Sequence, residues 1–119
     1  MRFYLFILAF LCPMALWADC MNTARTQPEM TNCAKTNWQT ADNALNNAWS
    51  QLKPAYDCAG LGDDLLTAQR NWLTFRDTQC MAERNFYRGG SIEPMIYFVC
   101  LERLTERRTE DLLKMMGPA

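Results

Sequence analysis

The sequence predicts an all-α domain of three long antiparallel helices with a short N-terminal arm, stabilised by disulfides. Apolar residues recur at steps of three and four over most of the chain, and no stretch alternates as a strand would. The cysteines fall where helices and arm can be tied together. With 119 residues, half of them hydrophobic and 21% charged, the chain suits one packed domain rather than a disordered one.

The first 18 residues form a separate unit. Met1-Arg2 gives a positive start, Phe3 to Leu11 is continuously apolar, Pro13 breaks the run, and Ala15 to Ala18 offers a cleavage region. This is the three-part pattern of a secretory signal peptide, with the cut expected before Asp19. The apolar run stops well short of the roughly 20 residues a membrane-spanning helix needs. Trp17-Ala18-Asp19 ahead of Cys20 lacks the small residues of a lipoprotein site. Residues 19–119 are therefore expected as a soluble domain, exported to the periplasm or beyond and free of the membrane after cleavage.

The first helix is expected from Pro28 to about Lys53, on the stripe Met30, Cys33, Trp38, Ala41, Leu45, Ala48 and Leu52. Pro28 is tolerated in a first turn, Glu29 complements the macrodipole, and Pro54 is expected to end the run. Residues 54–62 then read as a loop marked by Gly60 and Gly62. Asp63 or Asp64 caps the second helix, whose buried face carries Leu65, Gln69, Trp72, Phe75-Arg76 and Cys80. Gly89-Gly90 stops it, and Ser91 is the expected cap of the third, which continues through Ile96, Cys100, Leu104, Arg108 and Leu112.

Removing the signal takes Cys12 with it and leaves five cysteines, an odd number for an oxidising compartment. The tight Gly89-Gly90 turn makes the second and third helices an antiparallel hairpin. Cys80 and Cys100 lie equally far from Gly90, hence at equal height along the two axes, and both fall on apolar faces. They are expected to pair. An arm folded back along the first helix, bending at Thr26–Pro28, would join Cys20 to Cys33. Cys58 is left as an inert, half-buried loop thiol or a partner of Cys20 in a shuffled pairing. The sharper alternative is an intermolecular or reactive thiol, although Asp57 beside it opposes thiolate formation.

Several polar residues sit where the periodicity predicts a core: Asp42 and Asn46, Gln69, Arg76 and Asp77, and Arg108. A buried charge requires a partner, so Arg76 and Arg108 are expected to meet Asp42 and Asp77 across the helix seams and fix their register. A carboxylate pair could instead do acid/base work, but neighbouring arginines keep such carboxylates ionised, which is wrong for a general acid.

Other chemistry is excluded by composition. The chain has no histidine, which removes His-based triads, Cys–His pairs and imidazole metal sites. No metal motif or nucleotide loop is present, so no cofactor is expected. The mature chain carries 11 basic and 13 acidic side chains, and this mildly acidic balance argues against nucleic acid as a partner.

Several strings resemble the LprI-like lysozyme-inhibitor family of small exported bacterial proteins. They are Thr26-Gln27-Pro28-Glu29-Met30-Thr31-Asn32-Cys33, Asp42-Asn43-Ala44-Leu45-Asn46, Gln69-x-x-Trp72-x-x-x-Arg76-Asp77-x-x-Cys80, Gly89-Gly90-Ser91, and Cys100 with Leu104-Thr105-x-x-Arg108-Thr109. The resemblance runs from about Cys20 to Leu113. It implies a helical, disulfide-bonded fold and a protein partner, lysozyme, in the cell envelope. Lysozymes are basic with a carboxylate-lined cleft, so an acidic surface favours encounter. Tyr56, Asp57, Leu61, Asp63 and Asp64 around the first interhelical loop are the candidate contact. An immunity protein neutralising a delivered toxin would show the same surface physics, and a carboxylate-based enzyme is the remaining alternative.

Overall fold

The computed structural model describes residues 20–117. The expected signal segment and its cut lie outside the described residues. A 3-10 turn, Cys20–Asn22, opens the arm, followed by α1 (Gln27–Cys58), α2 (Gly62–Phe86) and α3 (Glu93–Met115), with no strand among the described residues. The expected all-α architecture is borne out.

α1 begins where Thr26, in extended conformation, accepts the Glu29 N–H through Oγ1 at 3.3 Å. Glu29 in turn accepts the Arg25 N–H at 2.7 Å, so arm and helix are clasped reciprocally. The Cys20–Cys33 disulfide fastens the same arm to the second turn of α1, with Cα atoms 5.7 Å apart.

Pro54 does not end α1. The helix runs on to Cys58 with the proline inside it, although an internal proline ordinarily costs about 3 kcal/mol. Two features compensate. Leu52 is buried and Tyr56, one turn later on the same face, packs against that core cluster. The end is then closed by a glycine cap: Gly60 adopts φ 74°, its N–H reaches the Asp57 carbonyl at 3.0 Å, and the Leu61 N–H reaches Tyr56 at 2.8 Å. The expected loop 54–62 is thus a helix end and a short turn.

The caps expected for the other helices differ as well. Leu61 stands at the N-cap of α2 and Ile92 at that of α3, neither with a side-chain cap bond. Asp63 and Asp64 fall inside the first turn of α2, where they complement the macrodipole. Ser91 lies in the preceding turn.

α2 lies antiparallel to both neighbours, so α1 and α3 point the same way. Gln27 at the start of α1 meets Met95 at the start of α3, and Leu112 near the end of α3 packs with Leu52 and Leu65. That cluster, with Leu45 and Ala48, forms one half of the core. The other half is built on Cys80, Cys100, Leu101 and Leu104, walled by Trp38, Tyr97 and Phe98. The Cys80–Cys100 disulfide runs through it with Cα atoms 5.4 Å apart, and both cysteines are fully buried. Phe75, expected on the buried face, is 54% exposed because the neighbouring Arg76 takes the inward position. No helix of the described residues is long and apolar enough to cross a membrane.

Candidate functional site

The polar residues singled out in the sequence meet mainly along one seam, between α2 and α3. Gln69, Trp72 and Arg76 recur at steps of three and four on α2, facing Thr105 and Arg108 on α3. Arg108 Nε donates to Gln69 Oε1 at 2.9 Å, and Arg76 Nη1 donates to the fully buried Thr105 hydroxyl at 3.5 Å. The Trp72 ring lies between both guanidiniums, 5.3 Å from Arg76 and 5.8 Å from Arg108. Arg76 also donates through Nε to its neighbour Asp77 at 3.0 Å and approaches Asp42 of α1 at 3.9 Å. Burial pushes the Arg108 pKa down, and Asp111 acts against that shift.

Arg76 reaches both Asp42 and Asp77, and the remaining contacts differ from those expected. Arg76 is the buried member, whereas the Asp42 and Asp77 side chains are 37% and 55% exposed. Asn46 is exposed on α1, flanking a groove with Asp42 and Gln69, and takes no part in the seam. Arg108 meets an amide rather than a carboxylate. Two half-exposed carboxylates sharing one guanidinium suit charge balance between helices. No group of three or more His, Cys, Asp or Glu that could hold a metal converges among the described residues.

The residues proposed to meet a partner lie at the α1–α2 corner. Leu61, Asp63 and Asp64 are exposed. Tyr56 is half-buried against the core and offers only part of its ring to the surface. Asp57 is exposed but engaged by Lys53 at 2.6 Å. Cys58, in the last turn of α1, is an exposed free thiol. The half-buried and shuffled readings of Cys58 are thereby corrected, since Cys20 is taken by Cys33. Leu112 brings the last turns of α3 to this corner, adding Glu110, Asp111 and Lys114. This end of the bundle thus carries five carboxylates and two lysines, a concentration that sequence spacing alone did not reveal because α3 arrives from the far end of the chain.

The opposite end is nearly balanced. Arg103 holds Glu83 at 2.7 Å and Arg84 holds Glu93 at 2.9 Å. The Arg103 guanidinium beside Glu83, and the Arg84 guanidinium with the Gly89 N–H beside Glu93, keep both carboxyls below the ordinary value of 4.5. Because the folded values are lowered, the stability these pairs add is full above about pH 4.5 and is lost as pH falls through the folded values. Thermal melts between pH 7 and 3 should show a steady Tm that declines only below that point. Glu83→Gln with Glu93→Gln should flatten the decline.

The two strings most specific to the family resemblance are thus the two sides of one contact: Gln69-x-x-Trp72-x-x-x-Arg76 on α2 and Leu104-Thr105-x-x-Arg108 on α3. A family model described as lysozyme inhibitor LprI matches residues 20–112. The chain belongs to the LprI family. An uncharacterized protein of Rhizobium meliloti (strain 1021) is 34% identical over 113 residues, covering 85% of this chain and 81% of the relative. No solved structure matches. The LprI match takes in both disulfides, all of α1 and α2 and most of α3. The motif residues just described hold this LprI fold together, and both ends of the bundle carry exposed side chains away from that seam.

Proposed function

We propose that this LprI-family protein is an exported, non-enzymatic protein of the cell envelope that binds lysozyme and inhibits it. The observation that carries this reading is the family match over residues 20–112. The acidic end supports it. Asp63, Asp64, Glu110 and Asp111 are all exposed toward this end of the bundle, and a surface of that sign draws in a basic enzyme over roughly a Debye length, about 8 Å at physiological salt. Leu61, 46% exposed, offers an apolar contact within the same patch.

The test is the clearing of a bacterial cell-wall suspension by lysozyme, with and without the disulfide-bonded protein. Slower clearing in a molar excess of the protein supports the reading, and unchanged clearing sinks it. The acidic end has its own kinetic signature. Asp63→Asn with Asp64→Asn should slow association about three- to tenfold at low salt and weaken its salt dependence, leaving dissociation nearly unchanged. Surface plasmon resonance at two ionic strengths reads both rates.

A further inference from the structure

We propose that the tip of the α2–α3 hairpin enters the substrate cleft of the lysozyme, with Phe86, Tyr87 and Arg88 as the occluding side chains. The proposal rests on the inhibitor reading above and specifies how such an inhibitor blocks its target.

Phe86 is 85% exposed, well beyond any other large apolar side chain of the described residues. Tyr87 stands edge-on to it with ring centroids 5.3 Å apart. A groove of about 460 Å3 runs behind the pair, floored by Ala82, Ile96 and Val99. Two adjacent aromatic rings exposed at a turn offer an apolar contact to another molecule. Aromatic and arginine side chains are also the residue types that anchor interfaces.

The turn that presents them is held from within. One oxygen of Glu93 accepts the Gly89 N–H at 3.0 Å and the other accepts Arg84 Nε at 2.9 Å. The Gly90 N–H closes on the Tyr87 carbonyl at 2.9 Å, and Gly89 at φ 83° supplies the left-handed step. A tip already ordered in the free protein loses little conformational freedom on docking. Arg84 and Arg103 are occupied by Glu93 and Glu83, whereas Arg88, which lies in the field of Glu93, is exposed and makes no ion-pair contact among the described residues.

The partner chemistry follows from that exposed guanidinium. A glycoside hydrolase cleft holds two carboxyl groups about 5–9.5 Å apart, at least one of them ionised, beside surfaces shaped for sugar rings. Arg88 can pair with the ionised carboxylate in a bidentate fork while the aromatic pair fills the adjoining sugar site. The acidic end lies at the far end of the 25-residue α2, ~37 Å away and about the diameter of a small domain. The tip contact and the acidic end are therefore separate features of the surface, tested by separate substitutions.

The experiment uses the disulfide-bonded protein, a basic c-type lysozyme and the soluble trisaccharide of N-acetylglucosamine. Phe86→Ser and Arg88→Ala, singly and together, are compared with the parent for inhibition, Tm and competition with the trisaccharide. The expected result is competitive binding by the parent, and inhibition weakened about tenfold or more by the double substitution at unchanged Tm. Asp63→Asn with Asp64→Asn should instead alter mainly the association rate. If the double variant inhibits as well as the parent, or the trisaccharide does not compete, the tip assignment falls while the inhibitor reading stands. It falls equally if the parent is a dimer that Phe86→Ser dissolves without loss of inhibition, because the patch then serves a second copy. A parent that neither binds nor inhibits overturns both readings.

Discussion

A chain with Cys80 and Cys100 both replaced by alanine should lose about 3 kcal/mol of stability, read as a fall in Tm of about 12–24 °C in a calorimetric or circular-dichroism melt. The bridge spans a sequence separation of 20, and closing a loop of that length in the unfolded chain accounts for most of the figure. Both sulfurs also lie in the core, against Leu101 and Leu104, so the native state gives up packing too. A domain of this size has a net stability of about 5–15 kcal/mol, which makes the loss a large fraction of the total. Cys20→Ala with Cys33→Ala should cost much less, about 1 kcal/mol. The arm packs on α1 alone, so releasing it frees residues in the folded state as well as the unfolded one. Equal losses for the two bridges would contradict this division of roles.

Arg76→Ala should lower stability by about 2–4 kcal/mol, among the largest effects of any single substitution outside the cysteines. The loss has an identifiable composition. Asp42 and Asp77 are partly solvated and are not left as orphaned internal charges. What disappears is the buried stem, the stacking on Trp72 at 5.3 Å and the bond to the Thr105 hydroxyl. Arg76→Met keeps the stem and drops the fork, so it should retain roughly half of the stability lost in the alanine variant. Urea titrations of both variants provide the comparison. A methionine variant as unstable as the alanine variant would show that the polar fork, rather than packing, is what the seam requires.

Helix periodicity and the equal spacing of Cys80 and Cys100 about Gly90 made the architecture and its central bridge legible in the sequence. Local rules misled where tertiary contacts outweighed them. Pro54 is a sound stop signal in isolation, yet Leu52 and Tyr56 bury one face across it and Gly60 supplies a later terminus. Ser91 is a good capping residue that caps nothing, because α3 starts one residue later and the N-cap position falls on Ile92. The arginine-centred network was legible because charged residues stood on an apolar stripe. Its partners were less so: Arg108 chose an amide, a preference no spacing rule encodes. Of the two ends, only the Asp57, Asp63 and Asp64 part of the acidic one was legible. The acidic one combines two distant segments, and the prominence of Phe86 depends on where α2 stops.

The seam between α2 and α3 bears on what membership of this family signifies. The two strings that meet across this seam are largely interior struts, and much of the surface open to another molecule lies beyond them. Remodelling either extremity leaves the struts in place, so proteins alike in these motifs can keep one chassis while diverging in quarry. Kinship read from the motifs vouches for the frame, and the prey must be established separately for each chain.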